Sequence, residues 1–562
     1  MIALLAVALA GEPIATGSMA LQAALEAELA RALTLHLPEA PAPYLVTFDV
    51  LDGTVRNSVA EDGALVQSST DPHRNLRAEV RIGDYELDSS NFGAWYEPNG
   101  VIMRDLPVED HPVALRREVW RATDAAYKNA VQSLAGKVAA REGSAAVRPP
   151  DFQRIPPMLV APTAHPGSAL SSAEVDAFAR NLSGAASPPG VESAIVRVRD
   201  WQGWRLVVTS EGTRAWTPTG NIVVRVQAEV RRADGGVVQD ARWWVGRDAA
   251  DLPPLAELTA ECEAMAASLL VRAAAPDPTP WLGPVLFEGE AAAELFSQLL
   301  APEVVGTRAI EDGDKEGYPV PRSAGRVGRR LLPSGWNVWD DPSTRLGVAG
   351  EYAMDHEAVA PRRVDLVKDG VLRDLLMSRI PNEVRGASTG HGRSLGSDRR
   401  VAIPGFVRVV APKLLTDRQL RRQALRLAAQ TGQSRVLVVT RILPLAMVDQ
   451  RERSGFGSGL RSGLTAPIEA CLLDGAGVCE PVRNLRFVGA DRRMLLDIVG
   501  AAAGAGPIDM LDGPPGRERD RIGLTGGVPT TWDVPSVLLA ELELDIAGGG
   551  EPRVLSIDRA KP

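Results

Sequence analysis

Apolar positions along the first half of the chain switch between two periods. From Met19 to Leu35 the residues are rich in Ala, Leu and Glu, and Ser18 in front of them is a helix N-cap by type. The period then drops to two. Tyr44–Val50, Gly53–Ala60, Ala64–Ser68 and Leu76–Ile82 read as strands, with Asp52-Gly53 and Asp62-Gly63 as turns between them, which predicts an antiparallel meander. Helical spacing returns from Pro112 to Ala140, where Leu115, Val119, Ala122 and Ala126 share one face.

A Pro-rich loop, Arg148 to Pro166, separates this set from a second one. A short helix from Ser172 to Asn181 leads into strands at Ser193–Val198, Trp204–Ser210, Asn221–Arg231 and Val237–Val245, and a helix from Leu255 to Ala273 follows. Ala78-Glu-Val-Arg81 is echoed by Ala228-Glu-Val-Arg231, but one short echo without a sustained period does not establish a repeat. Ala275 to Pro280 reads as a linker, and Ala501 to Arg521, with its Gly and Pro, as a loop or insertion. Between them lie short strands and two helices, Glu288–Leu300 and Asp417–Ala429, and the last strand is Val537–Asp545. The pattern predicts an α+β fold: residues 1–17 as a signal or unstructured start, an N-terminal α+β domain over 18–275, and a β-rich domain over 276–562.

A chain of 562 residues exceeds one hydrophobic core. With 45% apolar and 24% charged residues it is neither a disordered chain nor a coiled-coil rod. No run of about eighteen apolar residues suggests a membrane-spanning helix. The apolar start ends in Ala8-Leu9-Ala10, a pattern suited to a signal peptidase, but it has no basic residue and is short, so export and cytoplasm both stay open. Cys262, Cys471 and Cys479 are too few for a disulfide framework and suit either compartment. A net charge of −9 argues against a whole-molecule nucleic-acid field. Arg385 to Arg426 is locally basic, but Phe406 stands alone there as an aromatic, so nucleic acid is not the expected partner.

Several segments resemble the TldD/PmbA family, once described as modulators of DNA gyrase and related to metallopeptidases. They are Gly283–Phe296, Trp339–Ser343, Asp355–Pro361 running into Val364–Val371, Ser388–Arg393, Asn484–Gly489 and, in the first half, Ile82–Asp88. The resemblance implies two domains and a dimer enclosing a chamber, where one metal-bearing chain processes peptides beside a partner without the metal motif. Active members carry H-E-x-x-x-H, in which imidazoles hold zinc and the Glu takes a proton from bound water. Here the matching residues are Gly289, Glu290 and Glu294, so both imidazoles are missing. Cys471 lies in the general region of the family's cysteine ligand, on a predicted strand.

The expectation is therefore a family member without zinc or other cofactor, acting as a peptide-binding or partner subunit in a homodimer or with a family paralogue. Glu290 would be catalytic only in an active chain. The alternatives are an active peptidase whose metal site is rebuilt as a divalent cation on Glu288, Glu290 and Glu294, since carboxylates alone suit Mg²⁺, Ca²⁺ or Mn²⁺ better than zinc, and a nucleic-acid-associated protein using the basic stretch. His356-Glu357-Ala-Val imitates the motif but supplies Pro361 where the second His belongs. In Thr389-Gly-His-Gly-Arg393 the flanking glycines permit close ligand approach and Arg393 could hold a carboxylate, so Glu294, His391 and Arg393 are candidate substrate contacts, with an exposed His in a polar turn as the simpler reading. His36, His73, His111 and His165 read as loop or helix-end residues.

Overall fold

A computed structural model describes residues 18–93, 99–143, 146–163, 170–276, 279–311, 324–394, 399–444, 463–512 and 528–546. The predicted signal segment and His165 lie outside these residues.

The first half runs α1 (Met19–Ala32), β1 (Pro43–Glu61), β2 (Ala64–Ile82), β3 (Val101–Asp105), α2 (Pro112–Arg141), β4 (Leu159–Val160), α3 (Ser172–Ala185), β5 (Ser193–Thr209), β6 (Arg214–Arg231), β7 (Val237–Gly246) and α4 (Leu255–Ala274). α1, α2 and α3 start on side-chain caps. Ser18 Oγ accepts from Leu21 N, His111 Nδ1 accepts from Ala114 N, and Ser171 closes a reciprocal box with Glu174. The strands form one sheet in the order β3-β2-β1-β5-β6, with β4 and β7 both against β6.

Two expected turns do not exist. Asp52-Gly53 lies inside β1, and the break expected between Val198 and Trp204 lies inside β5. Gly53 pairs with Gly203 in the middle of the antiparallel β1–β5 pair. A Cβ on Gly53 would stand 2.3 Å from the Gln202 carbonyl oxygen, and one on Gly203 2.4 Å from that of Asp52. These glycines permit a close strand approach and do not mark turns. His73, expected in a loop, consequently sits in mid-strand opposite Gly53.

The element order repeats: helix, hairpin, strand, helix, with β1 and β5 back to back about the Gly53–Gly203 pair. The Ala78 and Ala228 echo is not part of this repeat. Phe48 and Val198 each lie five residues before their glycine, and they pair with Ala78 and Val224, not Ala228.

Strand alternation divides the sheet into two faces. Val46, Phe48, Val50, Leu76, Ala78 and Val80 pack under α1 and α2. Ala194, Val196, Val198, Val224 and Val226 pack under α3 and α4. Asp49, Arg77, Glu79 and Arg81 point to the other face, yet they too are buried, because the second half of the chain covers them.

That half comprises β8 (Trp281–Phe287), α5 (Glu290–Val304), β9 (Asn337–Asp340), β10 (Val364–Lys368), β11 (Val371–Leu372), β12 (Gly392–Arg393), β13 (Val401–Ala402), β14 (Phe406–Val410), α6 (Asp417–Gln430), β15 (Val436–Ile442), β16 (Pro467–Leu473), β17 (Cys479–Val482), β18 (Leu485–Phe487), β19 (Ile498–Ala502), β20 (Pro507–Asp512), β21 (Val528–Asp533) and β22 (Ser536–Ile546). One sheet is ordered β11-β10-β9-β14-β21-β20, and another β17-β16-β15-β8-β22-β18 with β19 against β22. β19 and β20 replace part of the loop expected from Ala501; Gly504 between them lets the backbone pass close to Val534. The mixed fold with mainly antiparallel sheets agrees with the α+β expectation.

Candidate functional site

The helix expected at 288–300 is α5. It starts at Glu290, with Gly289 as its N-cap at φ 55° and ψ −127°. That backbone region belongs to glycine, so the residue at the first imidazole position differs from histidine in conformation as well as in chemistry. From Ala291 onward α5 is mostly core. Ala291, Ala292, Ala293, Leu295, Phe296, Leu299 and Leu300 are buried against β8, β15 and the sheet of β9 and β14.

The three glutamates go to three different places. Glu288 takes a two-pronged ion pair from Arg421 on α6, at 2.9 and 2.7 Å. Glu290 is half-exposed and 3.4 Å from Arg242, which also binds Glu261 at 2.8 Å. Glu294 is buried and accepts from Gln298 Nε2 at 2.9 Å, while Gln298 also binds Thr465. Among the described residues no group of three or more His, Cys, Asp or Glu side chains is placed to hold a metal ion. Gly289 offers no side-chain donor and the acids diverge, so this donor set does not fit the zinc centre that the family resemblance implies. Cys471 is bonded to Cys479 across the β16–β17 hairpin, Cα–Cα 5.3 Å, so its sulfur is not a free thiolate ligand.

Beside the start of α5 lies a buried knot of charge. Asp240 on β7 receives Arg441 of β15 at 2.6 and 2.8 Å and Arg272 of α4. Arg441 also binds Glu469 at 2.7 Å. Burial works against the Glu469 carboxylate, but Arg441 outweighs it and holds its pKa at about 2. The knot ties the first sheet to the second half.

His356 and Glu357 do not start a helix. They form a tight turn around Asp355, whose carboxylate accepts from the backbone N–H groups of Glu357, Val359 and Gly392 at 2.8–2.9 Å. Burial keeps the His356 imidazole neutral, helped by Arg205 and Arg393. Burial, with Glu357 adding repulsion, pushes the Asp355 carboxyl up to about 7 against those three N–H donors. Its folded pKa is raised, so the folded chain binds this proton more tightly than the unfolded one. Asp355 then contributes stability that is full below about pH 4 and is lost as pH rises through about 7. Denaturant titrations across that window should show a falling unfolding free energy whose slope shrinks in Asp355→Asn, whatever the variant's constant offset; an unchanged slope would rule Asp355 out.

His391 is not an exposed turn residue. It is 0% exposed, with Nε2 3.1 Å from Asp340 and Nδ1 2.9 Å from Thr389 Oγ1. Thr, His and Asp thus line up as a hydrogen-bonded chain that no linear spacing revealed. All three are buried, and Thr389 Oγ1 already accepts from Met377 N, so the chain braces loops and offers no nucleophile to substrate. Arg393 is likewise spent on the carbonyls of Pro404 and Pro529, with its guanidinium 4.6 Å over the Tyr352 ring.

The basic stretch is not one surface. Arg385 pairs with Asp374, Arg400 with Asp49, Arg408 with Asp533 and Arg421 with Glu288. The α6 arginines thus include a contact to an acid of the same molecule. Sequence reasoning missed the polar face of β2. There Glu79 sits between Arg77 and Arg81 at 2.5 and 2.7 Å, and all three are buried beside Arg400. The alternation Leu76-Arg-Ala-Glu-Val-Arg-Ile82 carries the signal, but it reads equally as a solvated face.

Residues 282–448 match the PmbA/TldA metallopeptidase C-terminal domain. No curated protein matches the chain significantly. Three solved structures share its fold. A protein described as a candidate modulator of a DNA gyrase from Thermotoga maritima aligns at 15% identity and TM-score 0.58, covering 93% of this chain and 99% of its own. TldE from Thermococcus kodakarensis aligns at 14% and 0.59, covering 93% and 100%. A further candidate modulator of DNA gyrase, from Bacteroides thetaiotaomicron, aligns at 12% and 0.57, covering 93% and 98%. Residues 282–448 thus resemble the C-terminal domain of the PmbA/TldA metallopeptidases, and the chain shares the fold of these structures over almost its whole length.

Proposed function

We propose that this chain is a non-catalytic TldD/PmbA subunit that binds peptides, paired with itself or with a metal-bearing family paralogue. The observation that carries this reading is position 289: a glycine in a glycine-only conformation stands where the family motif has its first imidazole. The dispersal of Glu288, Glu290 and Glu294 to Arg421, Arg242 and Gln298 supports it. A division into an N-terminal unit up to 275 and a C-terminal unit from 276 belongs to the same reading, supported by the end of α4 at Ala274.

The test is turnover against binding. Long unfolded peptides should bind the purified chain without being cleaved, and Glu290→Ala should change neither result. Cleavage abolished both by EDTA and by Glu290→Ala would overturn the proposal. Restoring the motif should not restore the site either. Nothing lies within 4 Å of a Cβ at Gly289, but a histidine there meets about 1–3 kcal/mol of backbone strain. Gly289→His with Glu294→His is therefore expected to gain no tight zinc, and a stoichiometric gain would show that only the side chains were lost.

A further inference from the structure

The β16–β17 hairpin forms one edge of its sheet and also carries a hold on α4. In β16 the Ile468 carbonyl accepts from Arg272 Nη1 at 2.6 Å, and Glu469 accepts from Ser268 Oγ at 3.1 Å. Just past β17, Arg483 Nε donates to the Ala275 carbonyl at 3.1 Å. β17 itself is poorly secured. It has four residues, Pro481 offers no N–H to the ladder, and Cys479 and Glu480 are exposed. Its ion pair, Glu480 with Arg435, is exposed at both ends and contributes little.

The disulfide supplies the missing tie. Cys471 lies opposite Pro481 and Cys479 opposite Leu473, so the two cysteines are diagonal neighbours across the ladder. Their Cα separation of 5.3 Å lies within the span that a disulfide bridges. The hairpin itself sets this pairing, because the Asp474 carboxylate closes the turn on the N–H groups of Ala476 and Val478 at 2.9 and 2.8 Å. The chain's third cysteine does not compete. Cys262 is 0% exposed inside α4, and burial pushes its thiol up to about 12.

We propose that Cys471 and Cys479 are a cross-linking site, oxidised in the mature chain by a thiol–disulfide oxidoreductase, and that the chain works in an oxidising compartment. The exposed Cys479 thiolate attacks the oxidoreductase disulfide, and Cys471 then displaces the mixed disulfide. One S–S bond forms in the chain, and the oxidoreductase leaves as a dithiol with the two electrons and two protons given up. Where glutathione and thioredoxin keep thiols reduced, the same exposed sulfur is open to the reverse attack.

Acid-quenching cells that make the chain, then fractionating, unfolding and alkylating it, tests the site by mass spectrometry. One alkylated cysteine, Cys262, and a linked 471–479 peptide pair are expected, in a fraction outside the cytosol. Three alkylated cysteines overturn the site, and a cross-linked chain recovered from the cytosol overturns the compartment. Hydrogen exchange on the full chain tests the tie. Reductant should speed amide exchange over 467–483 at least about tenfold, the low end of what a cross-link contributes. Cys471→Ser with Cys479→Ser should exchange at that faster rate with or without reductant. Exchange unchanged by reduction, or equal in the variant and the oxidised chain, overturns the tie.

Discussion

Asp240→Ala should destabilise the chain by about 3–5 kcal/mol, the range for removing one partner of a buried ion pair. Asp240 is 0% exposed and is the shared acceptor of Arg272 and Arg441, each almost fully buried. Removing it leaves two desolvated guanidinium groups with Glu469 as the nearest remaining carboxylate, on Arg441 alone. The loss also unties β7 and α4 from β15, the strand packed against α5. Urea denaturation followed by far-UV circular dichroism reads the effect. A change under about 1 kcal/mol, the scale of a surface pair, would show that water reaches this knot.

Gly203→Ala should cost about 3 kcal/mol or more, at the upper end of overpacking. The added Cβ would meet the Asp52 carbonyl oxygen at 2.4 Å and the Gly53 Cα at 2.6 Å, both backbone atoms that cannot rotate away. β1 and β5 would have to separate at the centre of the sheet that carries all four N-terminal helices. Gly475→Ala is the control. Its Cβ meets nothing within 4 Å, and a change within about 0.5 kcal/mol is expected. Equal effects at the two positions would contradict the close approach of the two strands.

The same glycine shows where the sequence could and could not be read. Asp62-Gly63 and Asp52-Gly53 are the same dipeptide, yet one turns the chain at φ 84° and the other lies within a straight strand. The difference is the partner: Gly53 faces another glycine on a strand far away in sequence, and local pattern carries no trace of that. α2 was legible almost to the residue, 112–140 expected and Pro112–Arg141 found, because a helix is set by neighbours three and four residues away. The helix over the altered metal motif was legible for the same reason. The chemistry around it was less so. His391 between glycines reads as a solvent turn, but β9 and the loops around it bury the imidazole against Asp340. The polar stripe of β2 reads as a wet face, and only the covering half of the chain turns it into a buried arginine cluster.

Metal content of the purified chain, by elemental analysis after dialysis against zinc, tests the central claim most directly. Zinc is expected well below one equivalent per chain, unchanged in Glu290→Ala, because Gly289 supplies no ligand and the neighbouring acids are held apart by Arg421, Arg242 and Gln298. One equivalent of zinc that withstands dialysis, and is lost in Glu290→Ala, would contradict the account.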